Sequence, residues 1–230
     1  MYRFSLLALL SLCTAPLLAH DLRVERDDLL HTLSYGHERS GHEGVKRLEY
    51  KPETVKEAEC YNIAGKEQIS ERGRIYPVTL KGDCAASWFL VSSGYWSKTP
   101  YGTKNLPKSE VGAVMDSWLS LEAIKRIDRW GEALSRPLTK ELELVPTYNP
   151  LALKPGDKLR LRAFYQGKPA ANVTVAYFGK PRGVTGPDGA INIRLAEPGL
   201  QLVQGSLERS LDDGKADKAI HTTALQFELK

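Results

Sequence analysis

Residues 141–178 read ELELVPTYNPLALKPGDKLRLRAFYQGKPAANVTVAYF, and the period of two inside this stretch decides the fold. In KLRLRAFY, Leu159, Leu161 and Ala163 fall on one side, while Arg160, Arg162 and Phe164 fall on the other. Successive side chains of a strand point to opposite faces, so this segment is a strand with one buried and one solvated side. Lys154-Pro155-Gly156-Asp157 ahead of it is a turn, because Pro presets φ and Gly tolerates positive φ. GKPAAN is the next turn and VTVAYF the next strand. Further on, Thr185-Gly186-Pro187-Asp188-Gly189 precedes AINIRL, Pro198-Gly199 precedes LQLVQGSL, and HTTALQFEL follows a polar gap. Short alternating strands separated by Pro/Gly turns predict a β-sandwich of immunoglobulin-like or transthyretin-like type over residues 140–230.

Upstream, residues 20–139 read as a second β-rich domain, so the chain as a whole is expected to be mainly β. Leu29, His31, Leu33, Tyr35 and His37 alternate along one strand. Further strands are expected at Val45–Tyr50, Gly73–Leu80 and Ser87–Ser92. GYWSKTPYGTKNLP, residues 94–107, has the Gly, Pro and aromatic content of a long loop. Val111, Val114, Met115, Trp118, Leu121 and Ile124 recur at helical spacing, which predicts a short helix over 109–117 followed by extended chain. Trp88, Tyr95, Trp96 and Tyr101 read as an aromatic cluster used for core packing.

Residues 1–19, MYRFSLLALLSLCTAPLLA, combine a basic start at Arg3, a short apolar run and a small final residue. That is the pattern of a secretory signal peptide, and its apolar run is too short for a permanent membrane span. Cleavage after Ala19 would leave His20 as the first residue of a mature chain ending at Lys230, exported to the periplasm and not inserted in the membrane. A free α-amine beside an imidazole is a bidentate chelate, since both nitrogens lose their protons near neutral pH. Cys13 leaves with the signal, and Cys60 and Cys84 remain as an even pair, read as a disulfide in an oxidising compartment.

The net charge of +4 is mild, with no dense Lys/Arg cluster or basic helix, so nucleic acid is not an expected partner. No GxSxG and no Gly-rich phosphate loop is present, and no enzymatic activity is expected. The chain has five histidines, and four of them, His20, His31, His37 and His42, fall within residues 20–42. Imidazole suits nickel, cobalt, copper and zinc. His31, between Leu29 and Leu33, reads as a core histidine. His20, His37 and His42 are the candidate metal ligands, joined by His221 if the first and last strands lie together.

The stretch from Glu141 to Phe178, together with TGPDGAINIRLAEPGLQLVQGSL and HTTALQFEL, resembles a bacterial periplasmic family of unknown function linked to nickel and cobalt uptake transporters. Ala19-His20-Asp21 and Tyr35-Gly36-His37 resemble the same family. The resemblance implies a periplasmic protein that binds nickel or cobalt, with an inner-membrane metal transporter as partner. Two other readings stand beside it: a copper-binding protein, or copper-dependent oxidative enzyme, with an N-terminal histidine brace at His20, and a metal-free immunoglobulin-like adaptor.

Overall fold

The computed structural model describes residues 21–37 and 46–229. Its strands run in chain order β1 Asp21–Asp27, β2 Leu30–His37, β3 Lys46–Arg47, β4 Val55–Tyr61, β5 Glu67–Gln68, β6 Glu71–Arg72, β7 Thr79–Lys81, β8 Ala86–Thr99 and β9 Gly102–Lys104. They continue as β10 Asp116–Ile127, β11 Glu143–Pro146, β12 Lys158–Tyr165, β13 Lys168–Pro169, β14 Thr174–Tyr177, β15 Lys180–Val184, β16 Ala190–Arg194, β17 Gly199–Ser210 and β18 Lys218–Leu229. The protein is mainly β, and among the described residues the helical segments are single 3-10 turns.

The strands form three sheets. A nine-stranded sheet of order β15-β14-β17-β18-β10-β8-β4-β5, with β9 paired to β8, has a smaller sheet on each side. On one side lies β11-β12-β13 with β16. The apolar layer between them contains Trp88, Leu159, Leu161, Ala163, Leu225 and Phe227. On the other side lies β1-β2-β7-β6 with β3, over a layer containing Leu22, Val24, Leu33, Phe89 and Ile124. Alternation explains how one sheet serves both layers: Phe89 and Ile124 face the five-stranded sheet, and their sequence neighbours Trp88 and Ala123 face the four-stranded one.

The C-terminal strands behave as predicted. β12 buries Leu159, Leu161 and Ala163 and exposes Lys158, Arg160 and Arg162. β11, β12, β13 and β16 pack over β14, β15, β17 and β18 as a sandwich. The second sheet of that sandwich continues into the N-terminal part of the chain, because β18 pairs in parallel with β10 from Trp118↔Lys218 to Ile127↔Phe227. The boundary expected near residue 140 is therefore crossed by a shared ladder and a shared core. A disulfide joins Cys60 on β4 to Cys84, across 24 positions.

Two expectations are corrected. Residues 109–117 hold no α-helix: a 3-10 turn at Lys108–Glu110 leads into β10, while Met115 is exposed. β10 is paired on both edges and covered on both faces, so it lacks the alternation of a half-solvated strand. Residues 94–99 are not loop but the second half of β8, which turns at Tyr101 into β9. The four aromatic residues read as one cluster have different surroundings. Trp88 is buried, Tyr101 is exposed, and the Tyr95 hydroxyl donates to Asp213.

Candidate functional site

β1 and β2 form an antiparallel hairpin with Asp21↔Gly36, Leu22↔Tyr35 and Val24↔Leu33 in register. Leu22, Val24 and Leu33 are buried against the central sheet. Tyr35 reaches across the same layer, and its hydroxyl donates to Glu122 Oε2 at 2.9 Å. The Ser120 hydroxyl approaches the other carboxylate oxygen at 3.4 Å. Glu122 stands where the pairing of β10 with β8 shifts register, between Ser120 and Glu122. Such bulges re-aim side chains. Burial pushes the Glu122 carboxyl above the usual range, and the two hydroxyls oppose that shift by stabilising the charged form.

Of the predicted ligands, His37 is the last residue of β2, paired with Lys46. Its side chain, like His20 and His42 entirely, lies outside the described residues. His221 is described and buried. Its Nε2 lies 3.3 Å from the Tyr165 hydroxyl, the two rings meet edge to face at 4.7 Å, and Nδ1 is 3.6 Å from a Glu141 carboxylate oxygen. In the β10–β18 ladder His221 is level with Leu121, whereas Glu122 is level with Thr222. His221 thus faces the four-stranded sheet and Glu122 the five-stranded one. The first and last strands do meet, but through Gln226, whose amide brackets Val24 with bonds of 3.0 and 2.6 Å. Gln226 has the opposite parity to His221. The meeting of His221 with the β1–β2 end is therefore ruled out by the sheet between them.

His31 is a core residue, as expected. It is fully buried, with Nδ1 3.8 Å from Asp128 Oδ2. Burial lowers its pKa; Asp128 opposes the shift, and Arg26 and Arg126 add to it. His37 lies six positions further along β2, roughly 20 Å at strand rise, so the two do not share a metal. Among the described residues, no three His, Cys, Asp or Glu side chains converge as a metal site.

Residues 19–209 match the family described as "Domain of unknown function (DUF4198)". The chain belongs to this family. No curated protein matches it. Among solved structures, the "D0-D1 domain of Intimin" is similar over 86% of this chain and 90% of that one, at 12% identity and a TM-score of 0.23. Nothing about function follows from that likeness.

For this DUF4198 member, sequence reading missed Glu122. A lone carboxylate in a segment of ambiguous period gives no signal, and its standing depends on Tyr35, 87 positions away in the chain.

Proposed function

We propose that this protein is a periplasmic carrier that binds a divalent transition metal, nickel or cobalt, as its cargo and assists uptake by an inner-membrane transporter. One observation carries the reading: the β1–β2 register pairs Asp21 with Gly36 and Leu22 with Tyr35. β2 ends one residue later, at His37, so this histidine and the start of β1 lie at the same end of the hairpin. After cleavage behind Ala19, His20 offers its α-amine and a ring nitrogen, and His37 a third nitrogen donor. His42, five residues further in the sequence, is the remaining candidate imidazole. His221, on the far side of the central sheet, is left out of the set.

The donor types suit the cargo, since imidazole and amine nitrogens bind Ni²⁺ and Co²⁺ well. The Cys60–Cys84 disulfide supports an oxidising compartment. The signal-like residues 1–19 and the resemblance to nickel- and cobalt-linked families support export and cargo. No catalytic step is proposed.

The test is the metal content of untagged protein purified from the periplasm, with the N-terminus read by mass spectrometry. Nickel or cobalt near one per chain, on a chain starting at His20, is the expected result. Copper at that stoichiometry would replace the cargo with the copper reading. Metal-free protein with an intact binding end would leave the adaptor reading in its place.

A further inference from the structure

We propose that the outer face of the four-stranded sheet is a docking surface for an anionic lipid bilayer. β12 buries Leu159, Leu161 and Ala163, which leaves Lys158, Arg160 and Arg162 exposed on its other side. β16 runs antiparallel beside it, with Lys158 opposite Arg194, Arg160 opposite Asn192 and Arg162 opposite Ala190. The register thus brings cations from two separate segments onto one exposed face. Among the described residues, Arg162 has a carboxylate nearby, Asp188 at 3.6 Å, while Lys158, Arg160 and Arg194 have no ion pair. Arg194 donates instead to the Gly156 carbonyl at 2.6 Å. Like charges directly opposed in an antiparallel pair destabilise the sheet, and Lys158 opposite Arg194 is such a pair. The outer face of the five-stranded sheet is arranged the other way: Lys81 is opposed by Glu71, and on β1 Glu25 follows two residues after Arg23. A face that holds its cations together against their repulsion is matched to an anionic partner.

The make-up of the face favours lipid over an acidic protein. Protein interfaces centre on apolar and aromatic side chains and keep their charges at the rim. Among the described residues, none of the exposed large apolar side chains lies on β11, β12, β13 or β16. Without such an anchor the contact is electrostatic, made at the headgroups and with nothing inserted. Along β12 the cations stand about 7 Å apart, and β16 sets Arg194 about 5 Å to the side. That is a flat array, suited to a layer of phosphates more than to a single one. The β1–β2 hairpin lies on the opposite side of the central sheet, so this contact leaves it uncovered.

The experiment sediments the metal-free, oxidised chain starting at His20 with vesicles of phosphatidylcholine, with and without phosphatidylglycerol, at low and high salt. Each Lys or Arg near an anionic membrane strengthens binding about fivefold, so four of them give half-binding on the order of millimolar lipid. Binding is expected with phosphatidylglycerol and not without it, and it should fade at high salt as screening shortens. Lys158→Gln/Arg160→Gln/Arg194→Gln should bind about 100-fold more weakly. Lys81→Gln, on the other outer face, should bind as wild type, and Arg194→Lys, which keeps its charge, nearly so. Thermal unfolding of the triple variant should be unchanged or shifted upward, because the opposed pair is gone. If the triple variant folds poorly, Arg160→Gln carries the test with a loss of about fivefold. No phosphatidylglycerol-dependent binding by wild type, or equal binding by wild type and the charge-neutralised variants, would overturn the proposal. Charge-dependent binding to polyglutamate with none to vesicles would overturn it in favour of an acidic protein partner. Every reading is made without metal, so the outcome stands apart from the cargo reading.

Discussion

Replacing Lys125 with Met isolates the most deeply buried ion pair among the described residues. Lys125 and Glu143 have side chains 1% and 0% exposed and meet at 2.5 Å in the layer under the four-stranded sheet. Glu143 also accepts from the backbone amides of Leu138 at 2.9 Å and Thr139 at 3.1 Å. Methionine fills the volume of the lysine stem but leaves the carboxylate with no cation. Breaking a buried pair from one side costs about 3–5 kcal/mol. The two amides still solvate part of the charge, which places the loss near the lower end, about 3 kcal/mol. At roughly 2–4 °C per kcal/mol for a chain of this size, Tm falls by about 6–12 °C. In Lys125→Met/Glu143→Gln the charge is gone and an oxygen still meets both amides, so about half the loss returns. The assay is urea and thermal unfolding of the oxidised chain starting at His20, followed by circular dichroism. A single variant within about 0.5 kcal/mol of wild type, or a double variant less stable than the single, would refute this account of the layer.

Cys60→Ala/Cys84→Ala opens a loop spanning 24 positions and should cost about 3 kcal/mol by the loop-entropy estimate, read from the urea midpoint. Burial depresses the His31 pKa, so the unfolded chain takes up the proton first as pH falls. The neutral-state stabilisation is complete above the ordinary histidine value of about 6.5 and is lost as pH drops through it toward the lowered folded value. Unfolding at pH 7.5 and 5.5 should show that loss in wild type and not in His31→Leu. His221→Ala removes the contacts with Tyr165 and Glu141 and should cost about 1–2 kcal/mol while leaving Co²⁺ affinity unchanged. A weakened titration in that variant would return His221 to the ligand set.

The strands after Glu141 were legible because each has one wet face. In β12 the exposed Arg160 and Arg162 mark the positions between the buried Leu159 and Leu161. β10 was not legible for the opposite reason. Lys125 and Arg126 are buried on it in opposite directions, each beside its own carboxylate, so polarity no longer reports which face is wet. β4 escaped as well, since VKEAECY puts Glu57 and Glu59 on a covered face, where Trp88 donates to Glu57. Tyr35 was visible as part of an alternating strand, but its partner Glu122 was not. Pairings between distant segments are set by register, and register follows from the hairpin and the bulge, not from local composition. Likewise His221 joins the ligand set only if the first and last strands meet on its side, and the parity of β18 turns it to the other face of the central sheet.

The central claim is that the metal site requires the amine of His20. Two chains test it, one starting at His20 and one with a single extra residue ahead of it, each titrated with Ni²⁺ and Co²⁺ by calorimetry. The account predicts tight one-to-one binding by the first and a loss of 100-fold or more in the second, because acylating the amine removes one donor and breaks the chelate. Equal affinity in the two chains, or binding by neither, would contradict it.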